Sequence, residues 1–155
     1  MTFGSVTTAE EVPAYLERIR GAPAPVEVVE EMQRRYRIIG GSPLTRITRD
    51  QAGALEEQLN LRTPGAYRVE IGMRNAPPFI ADAMNSLSSD GAREIVCVIL
   101  SPQYSPVIMG GYLSLVEAAK KALPSATAVC VAGTWHALPA FVDALASRIQ
   151  QALER

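Results

Sequence analysis

Two short apolar runs place the strongest constraint on the fold of this chain. Residues 95–100 and residues 126–132 are almost entirely apolar and are too short for ordinary helices. Runs of this kind are typical of strands that are buried on both faces in a parallel sheet. A helical pattern lies between them, over residues 112–123. The alternation predicts an α/β fold in three layers, a parallel β-sheet with helices on both faces.

The other elements follow from helical periodicity and from breaks at Gly and Pro. Thr8 is a candidate N-cap with Glu11 three residues later, as in a capping box. The patterns predict helices over residues 8–20, 26–39, 48–59, 77–88 and 138–154, and strands over residues 67–73, 94–100 and 127–131. A further strand ends at Phe3. Either it is cut short to two or three residues, or the start codon has been placed too late, and we favour the second interpretation. With 155 residues, the chain is predicted to form a single domain, residues 1–155.

Charge and cysteine usage argue against several classes of protein. The chain has 15 basic and 16 acidic residues, so nothing favours binding to nucleic acid or to an anionic membrane. No apolar stretch approaches the ~20 residues of a membrane span. Cys97 and Cys130 lie in predicted buried strands without a C-x-x-C spacing, which argues against a zinc site or a disulfide framework. A cytoplasmic location is therefore expected.

The predicted strands point to a ligand site at one edge of the sheet. Ligands of open parallel sheets bind outside the carboxyl ends of the strands, where the following loops meet. In this chain those ends are residues 3–4, 73–75, 101–105 and 133–135. We expect the ligand-binding residues there. Within the loop predicted over residues 101–110, the apolar centre Val107-Ile108-Met109 should lie against a flat ligand or a partner protein.

Several short phrases occur in a fixed order along the chain. They are Met-Thr-Phe-Gly (1–4), Glu-Glu-Val-Pro-Ala-Tyr-Leu (10–16), Arg-Tyr-Arg-Ile-Ile-Gly-Gly-Ser-Pro-Leu (35–44), Ile-Gly-Met-Arg-Asn (71–75) with Pro-Phe-Ile (78–80), Ser-Pro-Gln-Tyr-Ser (101–105) with Gly-Gly-Tyr (110–112), and a W-x-x-x-P-x-F series (135–141). This order resembles the N-terminal half of the ferrochelatase family, which acts on protoporphyrin or coproporphyrin. The resemblance implies a lyase of haem biosynthesis that inserts Fe(II) into a porphyrin.

The resemblance also implies a set of porphyrin-binding residues. Phe3 occupies the place where many family members carry a tyrosine beside the metal, and Arg20 matches an arginine that approaches a propionate. Ser42 matches a serine beside the macrocycle, in a loop that is one residue shorter here. Tyr104 and Tyr112 frame the loop after the third strand, and Tyr112 matches a tyrosine at the propionate end. Each residue also has a structural interpretation, such as a core ring or a solvated helix end.

His136, the single histidine of the chain, requires a separate interpretation. The phrase His136-Ala-Leu-Pro is similar to the His-Ser-Leu-Pro phrase that holds the catalytic histidine of the family. However, Trp135, Pro139 and Phe141 match the earlier W-x-x-x-P-x-F phrase, and in that register His136 occupies a variable position. We therefore predict no catalytic residue and no metal ligand in this chain, and keep His136 as the alternative catalytic candidate.

Three functional hypotheses follow from the resemblance, which places the metal-inserting half of the family outside these residues. In the first, the chain binds a porphyrin and contributes one half of an Fe(II)-porphyrin chelatase, together with a second half. In the second it is a non-catalytic tetrapyrrole-binding homodimer, and in the third a degenerate scaffold. The expected partners are the porphyrin and either a second copy or a second chelatase half. No resident cofactor is expected, and porphyrin and Fe(II) are the implied substrates.

Overall fold

Six α-helices and short parallel strand segments make up the fold in the computed structural model, which describes residues 1–154. The helices are α1 (Val12–Arg20), α2 (Val26–Ile39), α3 (Leu44–Arg62), α4 (Ile80–Ser89), α5 (Pro106–Lys120) and α6 (Pro139–Leu153), and the strands are β1 (Glu94–Cys97) and β2 (Ala128–Val131). A 3-10 helix, Ala9–Glu11, leads into α1. The predicted α/β class is confirmed. None of the helices within residues 1–154 combines the length and the apolar character that crossing a membrane requires.

The sheet extends beyond the two named strands. β1 and β2 pair in parallel, with Glu94 opposite Ala128. On the other side of β1, the α-amino group of Met1 donates a hydrogen bond to the Val98 carbonyl, and the Leu100 amide donates to the Met1 carbonyl at 2.9 Å. This alternation of donors and acceptors is that of a parallel ladder. Residues 1–3 thus act as a short first strand beside residues 98–100, which extend β1.

The first strand also pairs with the segment that follows α3. The Thr2 amide donates to the Gly72 carbonyl at 3.2 Å, and the Arg74 amide donates to the Thr2 carbonyl at 3.0 Å. A parallel bridge accordingly joins Thr2 to Met73. The order across the sheet is therefore residues 72–74, then 1–3, then β1 with its extension, then β2.

Helices cover both faces of the sheet at one edge only. Met73 is fully buried and packs with the buried residues of α1, whereas a Cβ on the neighbouring Gly72 would lie 2.9 Å from the Cα of Ile80 in α4. Consecutive residues of a strand point to opposite faces, so α1 and α4 lie on opposite faces. In β1, Ile95 is buried in the core that α4 and α5 form, but Val96 is 56% exposed. This second face of β1 is uncovered within residues 1–154.

The predicted strand over residues 67–73 is wrong except at Met73. Side chains of α3 bind the backbone groups that a strand would offer to a neighbour. Asn60 Nδ2 donates to the Tyr67 carbonyl at 2.8 Å, and the Tyr67 amide donates to Asn60 Oδ1 at 3.1 Å. The Val69 amide donates to the Glu56 carboxylate at 2.6 Å. With these groups already satisfied, residues 67–70 run beside α3 without a ladder, and pairing with the first strand begins at Gly72.

The loop predicted over residues 101–110 ends earlier than expected, because α5 begins at Pro106. Proline is well tolerated at the first helical position, and the Ser105 hydroxyl caps the helix by accepting from the Ile108 amide at 3.4 Å. The segment expected to be an apolar loop is therefore the first turn of a helix. Met109 is buried in the core, whereas Val107 is 87% exposed.

Other boundaries differ less. The helix α3 begins at Leu44 rather than at residue 48, and Cys130 is exposed although burial was predicted. The helix α2 has the predicted bounds, since Pro25 precedes it and Gly40 follows it in a left-handed conformation. At the first helix, the Glu11 carboxylate accepts from the Thr8 amide at 3.3 Å, as the predicted capping box requires.

Candidate functional site

The carboxyl ends of the strands meet at one edge of the sheet and are held there by hydrogen bonds. The amide and the side-chain nitrogen of Asn75 both donate to the Phe3 carbonyl, at 3.0 Å and 3.2 Å. The Trp135 amide donates to the Pro102 carbonyl at 3.2 Å, and the Trp135 indole donates to the Ile99 carbonyl at 2.9 Å. All four strand ends are thus fixed relative to their neighbours, which gives a preformed edge for a ligand.

At this edge, Arg74 connects two of the residues singled out from the sequence. Its guanidinium carbon lies 5.9 Å from the ring centroid of Phe3 and 5.9 Å from the ring centroid of Tyr112. Both distances are in the range of cation–π attraction. A methyl group at Gly111 would overlap the Arg74 guanidinium, so the glycine leaves the space in which this side chain lies.

The fold holds Arg74 and Tyr112 in place. The backbone on either side of Arg74 is fixed, because the Met73 amide donates to the Pro78 carbonyl at 2.8 Å and the Asn75 amide donates to the Phe3 carbonyl at 3.0 Å. Tyr112 is only 1% exposed, and this burial raises the pKa of its hydroxyl while the nearby Arg74 charge opposes the rise. Little of the Tyr112 ring is open to a ligand, whereas Phe3 is 41% exposed.

The two arginines near the end of α1 differ in their environments. Arg20 is the last residue of α1, and its side chain is exposed. Two residues earlier, Arg18 Nε donates to the Asn75 carbonyl at 2.9 Å, and its guanidinium carbon lies 5.5 Å from the Phe79 ring centroid. Arg18 therefore ties α1 to the strand-end edge. Sequence reasoning missed both Arg18 and Arg74, although Arg74 lies in a strand-end phrase that signalled the site.

Ser42 lies beside the loop that follows the first strand. Its amide donates to the Val6 carbonyl at 3.1 Å, and its hydroxyl accepts from the Leu44 amide at 3.3 Å. Gly41, with a φ of 89°, lies so close to the Thr7 backbone that a Cβ on it would overlap the Thr7 carbonyl oxygen. The shorter Gly-Gly-Ser-Pro loop is therefore packed directly on the first-strand loop.

A cleft of about 500 Å³ opens next to this contact. Its wall combines hydroxyl, carboxylate and guanidinium groups with two prolines, from Ser5, Thr7, Glu11, Thr45, Arg49, Pro77, Pro78 and Asp82. Ser5 is already engaged, since its hydroxyl and the Tyr36 hydroxyl lie 2.8 Å apart. The polar character of the wall suits a charged or hydroxylated part of a ligand rather than a flat apolar face.

Tyr104 and His136 lie at the outer part of the edge. Tyr104 is 69% exposed and precedes α5, so its ring is available to a ligand. His136 is exposed in the turn between β2 and α6. Within residues 1–154, no group of three or more His, Cys, Asp or Glu side chains is arranged to hold a metal ion.

Comparison with known proteins gives a consistent assignment. A family model described as Ferrochelatase matches residues 1–155. The chain is 32% identical to the ferrochelatase of Herpetosiphon aurantiacus, over 99% of the chain and 51% of that protein. It is 34% identical to the coproporphyrin III ferrochelatase of Geobacillus kaustophilus, over 97% of the chain and 48% of that protein. The chain therefore spans about half the length of these curated relatives.

Proposed function

Since this chain belongs to the ferrochelatase family, we propose that it binds a porphyrin at the strand-end edge and contributes one half of an Fe(II)-porphyrin chelatase of haem biosynthesis. The observation that carries the proposal is the exposed ring of Phe3 with the Arg74 guanidinium beside it, at the point where the strand ends converge. The other half of the enzyme supplies the remaining wall of the site. The porphyrin and Fe(II) are substrates, and no resident cofactor is proposed.

The chemistry of a porphyrin supports this edge as its binding place. A porphyrin presents flat apolar faces and acidic propionates, so its site needs exposed rings and cationic or hydroxyl donors. Phe3 and Tyr104 are exposed rings at the edge, and Arg20 and Ser42 are the polar residues that the family resemblance assigns to the propionates and the macrocycle edge. These four residues and the buried Tyr112 form the proposed porphyrin-binding set.

We propose that metal insertion requires residues that this chain does not supply. Insertion needs a base for the pyrrole protons and a ligand that passes on the metal. The Phe3 side chain has no oxygen atom, and His136 lies in an exposed turn directly after Trp135 in the sequence. The isolated chain should therefore not form zinc porphyrin above the uncatalysed rate. A rate that disappears in His136→Ala would instead make His136 the catalytic residue.

A partner is the second part of the proposal. The chain spans about half of its relatives, and the outer face of β1 is uncovered at Val96. On α6, Val142, Leu145 and Ile149 recur at helical spacing and are all exposed. Such a surface favours a second chelatase half, or a second copy of this chain, as its cover. Light scattering that shows only a monomer, both alone and with the co-expressed second half of a relative, would contradict this.

The location of the protein is proposed from its thiols. Cys97 and Cys130 are both free, and the Cys130 thiol is exposed. A free exposed thiol is characteristic of a reducing compartment, so we propose the cytoplasm. Burial raises the pKa of the Cys97 thiol, which keeps it protonated and unreactive in the core.

Porphyrin binding is tested by titrating the chain with coproporphyrin III and following the Soret band. The parent should shift the band in a saturable way, and Phe3→Ala should weaken binding because the stacking ring is lost. Tyr67→Ala is the matched control, since Tyr67 is an exposed aromatic residue that precedes the strand segment rather than following it. A parent protein that gives no saturable shift would leave the degenerate scaffold as the better description.

A further inference from the structure

We propose that two copies of this chain exchange α6, so that the apolar stripe of each α6 covers the open sheet face of the other copy. The open sheet face is the outer side of β1 and β2, where Val96 is exposed. The proposal rests on the partner that the proposed function requires, and it commits to a second copy as that partner. The apolar stripe consists of Leu138, Val142, Leu145, Ile149 and Leu153.

The accessible surface of the chain is larger than that of a domain that folds alone. It amounts to 10255 Å². A folded monomer of 155 residues is expected to expose about 7,700 Å². The excess is about 2,500 Å² per chain, or about 5,000 Å² for two chains, which is at the upper end of the area that obligate homodimers bury. A second copy is therefore large enough to cover the surplus.

The helix α6 contributes one part of this excess surface. Trp135 fixes the beginning of the helix, because its indole donates to the Ile99 carbonyl at 2.9 Å and its ring packs edge to face with Phe141, at 5.0 Å between the centroids. None of the residues from Pro139 to Leu153 is buried. The stripe residues recur at intervals of three and four, so they form one side of the helix, and they are 48% to 82% exposed. Such a side is stable only when another surface covers it.

The open sheet face contributes the complementary part. Val96 and Cys130 lie opposite each other in the parallel register of β1 and β2, so their side chains point to the same face. Val96 is 56% exposed, and Cys130 is exposed as well. Ala128, two residues before Cys130, is also exposed on this face, and its small side chain lets a helix approach closely. Parallel sheets normally carry helices on both faces, which is what this face lacks within residues 1–154.

The two surfaces match in length and in charge. The 15 residues of α6 span about 22 Å, and residues 94–100 of the sheet span about 23 Å. With 15 basic and 16 acidic residues, two copies have almost no net charge to keep them apart. Because one chain carries both the helix and the sheet face, a two-fold axis brings each helix to the sheet of the other copy and leaves neither surface open.

The first test places a cysteine on α6 and identifies the chain to which it becomes linked. Val142→Cys, Leu145→Cys and Ile149→Cys lie on the stripe, and Ser147→Cys, on the opposite side of the helix, is the matched control. Under mild oxidation, at least one stripe cysteine should form a disulfide with the exposed Cys130 of a second copy, seen as a dimer band in non-reducing electrophoresis. The control should give no dimer band, and neither should a stripe variant that also carries Cys130→Ser.

The second test measures association by light scattering at micromolar concentration, without porphyrin. The parent should have the mass of two chains. Leu145→Glu should weaken dimerisation by at least about tenfold, because it places a charge in the covered stripe. Leu61→Glu, which replaces an exposed leucine on α3, should leave the dimer intact. Circular dichroism checks that both variants keep their helices, and if Leu145→Glu loses them, the disulfide pattern decides.

Several results would overturn the exchange. A parent that is monomeric, or that associates only with the co-expressed second half of a relative, rules out a second copy as the partner. A disulfide within one chain shows that α6 covers its own sheet. Stripe cysteines that cross-link no better than the control, or a Leu145→Glu dimer as stable as the parent, show that the stripe is not the interface. The Soret titration is independent of all these results, so porphyrin binding is decided separately.

Discussion

The contact between Gly41 and the first-strand loop offers a sharp test of how the Ser42 loop is positioned. Gly40 and Gly41 are adjacent, and both have a positive φ, 70° and 89° respectively. They differ in their surroundings, since a Cβ on Gly40 would meet nothing within 4 Å and one on Gly41 would overlap the Thr7 carbonyl oxygen. Alanine at either position pays the left-handed penalty of about 1–2 kcal/mol. Alanine at Gly41 must also move its own loop away from the Thr7 backbone.

The additional cost at Gly41 follows from one hydrogen bond. Moving the loop away from Thr7 breaks the bond that the Ser42 amide donates to the Val6 carbonyl at 3.1 Å, which is worth about 0.5–1.5 kcal/mol. Gly41→Ala should therefore lower the free energy of unfolding by about 1.5–3.5 kcal/mol, against about 1–2 kcal/mol for Gly40→Ala. Urea unfolding followed by far-ultraviolet circular dichroism measures both. Equal losses in the two variants would refute the close packing of this loop.

Three further predictions concern the sheet edge, the sheet faces and the helix surface. Trp135→Phe should cost about 1–2 kcal/mol in urea unfolding, because the buried Ile99 carbonyl loses the indole donor at 2.9 Å, and an unchanged midpoint would contradict this. Ile95→Ala should cost about 2–5 kcal/mol and Val96→Ala far less, since the two lie on opposite faces of β1; similar losses would show that both faces are covered. Two arginines hold the pKa of Glu31 at about 2, below its ordinary 4.5, so its stabilising contribution is complete above pH 4.5 and is lost as the pH falls through about 2. The stability difference between the parent and Glu31→Gln should disappear over that range and be reduced by salt, and a difference that persists at acid pH would refute the pairing.

The elements that could be predicted from sequence are those whose signals are local. The helix α2 is bounded by Pro25 and Gly40, and each of these residues affects the backbone only at its own position and at its neighbours. The apolar runs around Ile95 and Val129 were sufficient to predict β1 and β2, because short runs of this kind are typical of few structures other than buried strands. The strand over residues 67–73 failed for the opposite reason. Asn60 binds that segment from a different element, and no local pattern reveals such a contact.

The sequence predicted where the candidate site lies, at the carboxyl ends of the strands, but not which of its side chains contact one another. The carboxyl ends of the strands were expected to meet, and the hydrogen bonds of Asn75 and Trp135 join them. The contact of Arg74 with Phe3 and Tyr112 joins parts of the chain that are distant in sequence, so periodicity says nothing about it. The roles assigned to Arg20, Ser42 and Tyr104 remain predictions.

The exposure of α6 has a consequence for the local opening of this helix. None of its residues from Pro139 to Leu153 is buried, and an isolated helix of this length is only marginally stable in water. Its amide hydrogens should therefore exchange with solvent much faster than those of α4 or α5, through local opening that does not involve the core. Covering the apolar stripe of α6 would slow that exchange. The protection of these amides is thus a direct indicator of whether the domain is alone or assembled.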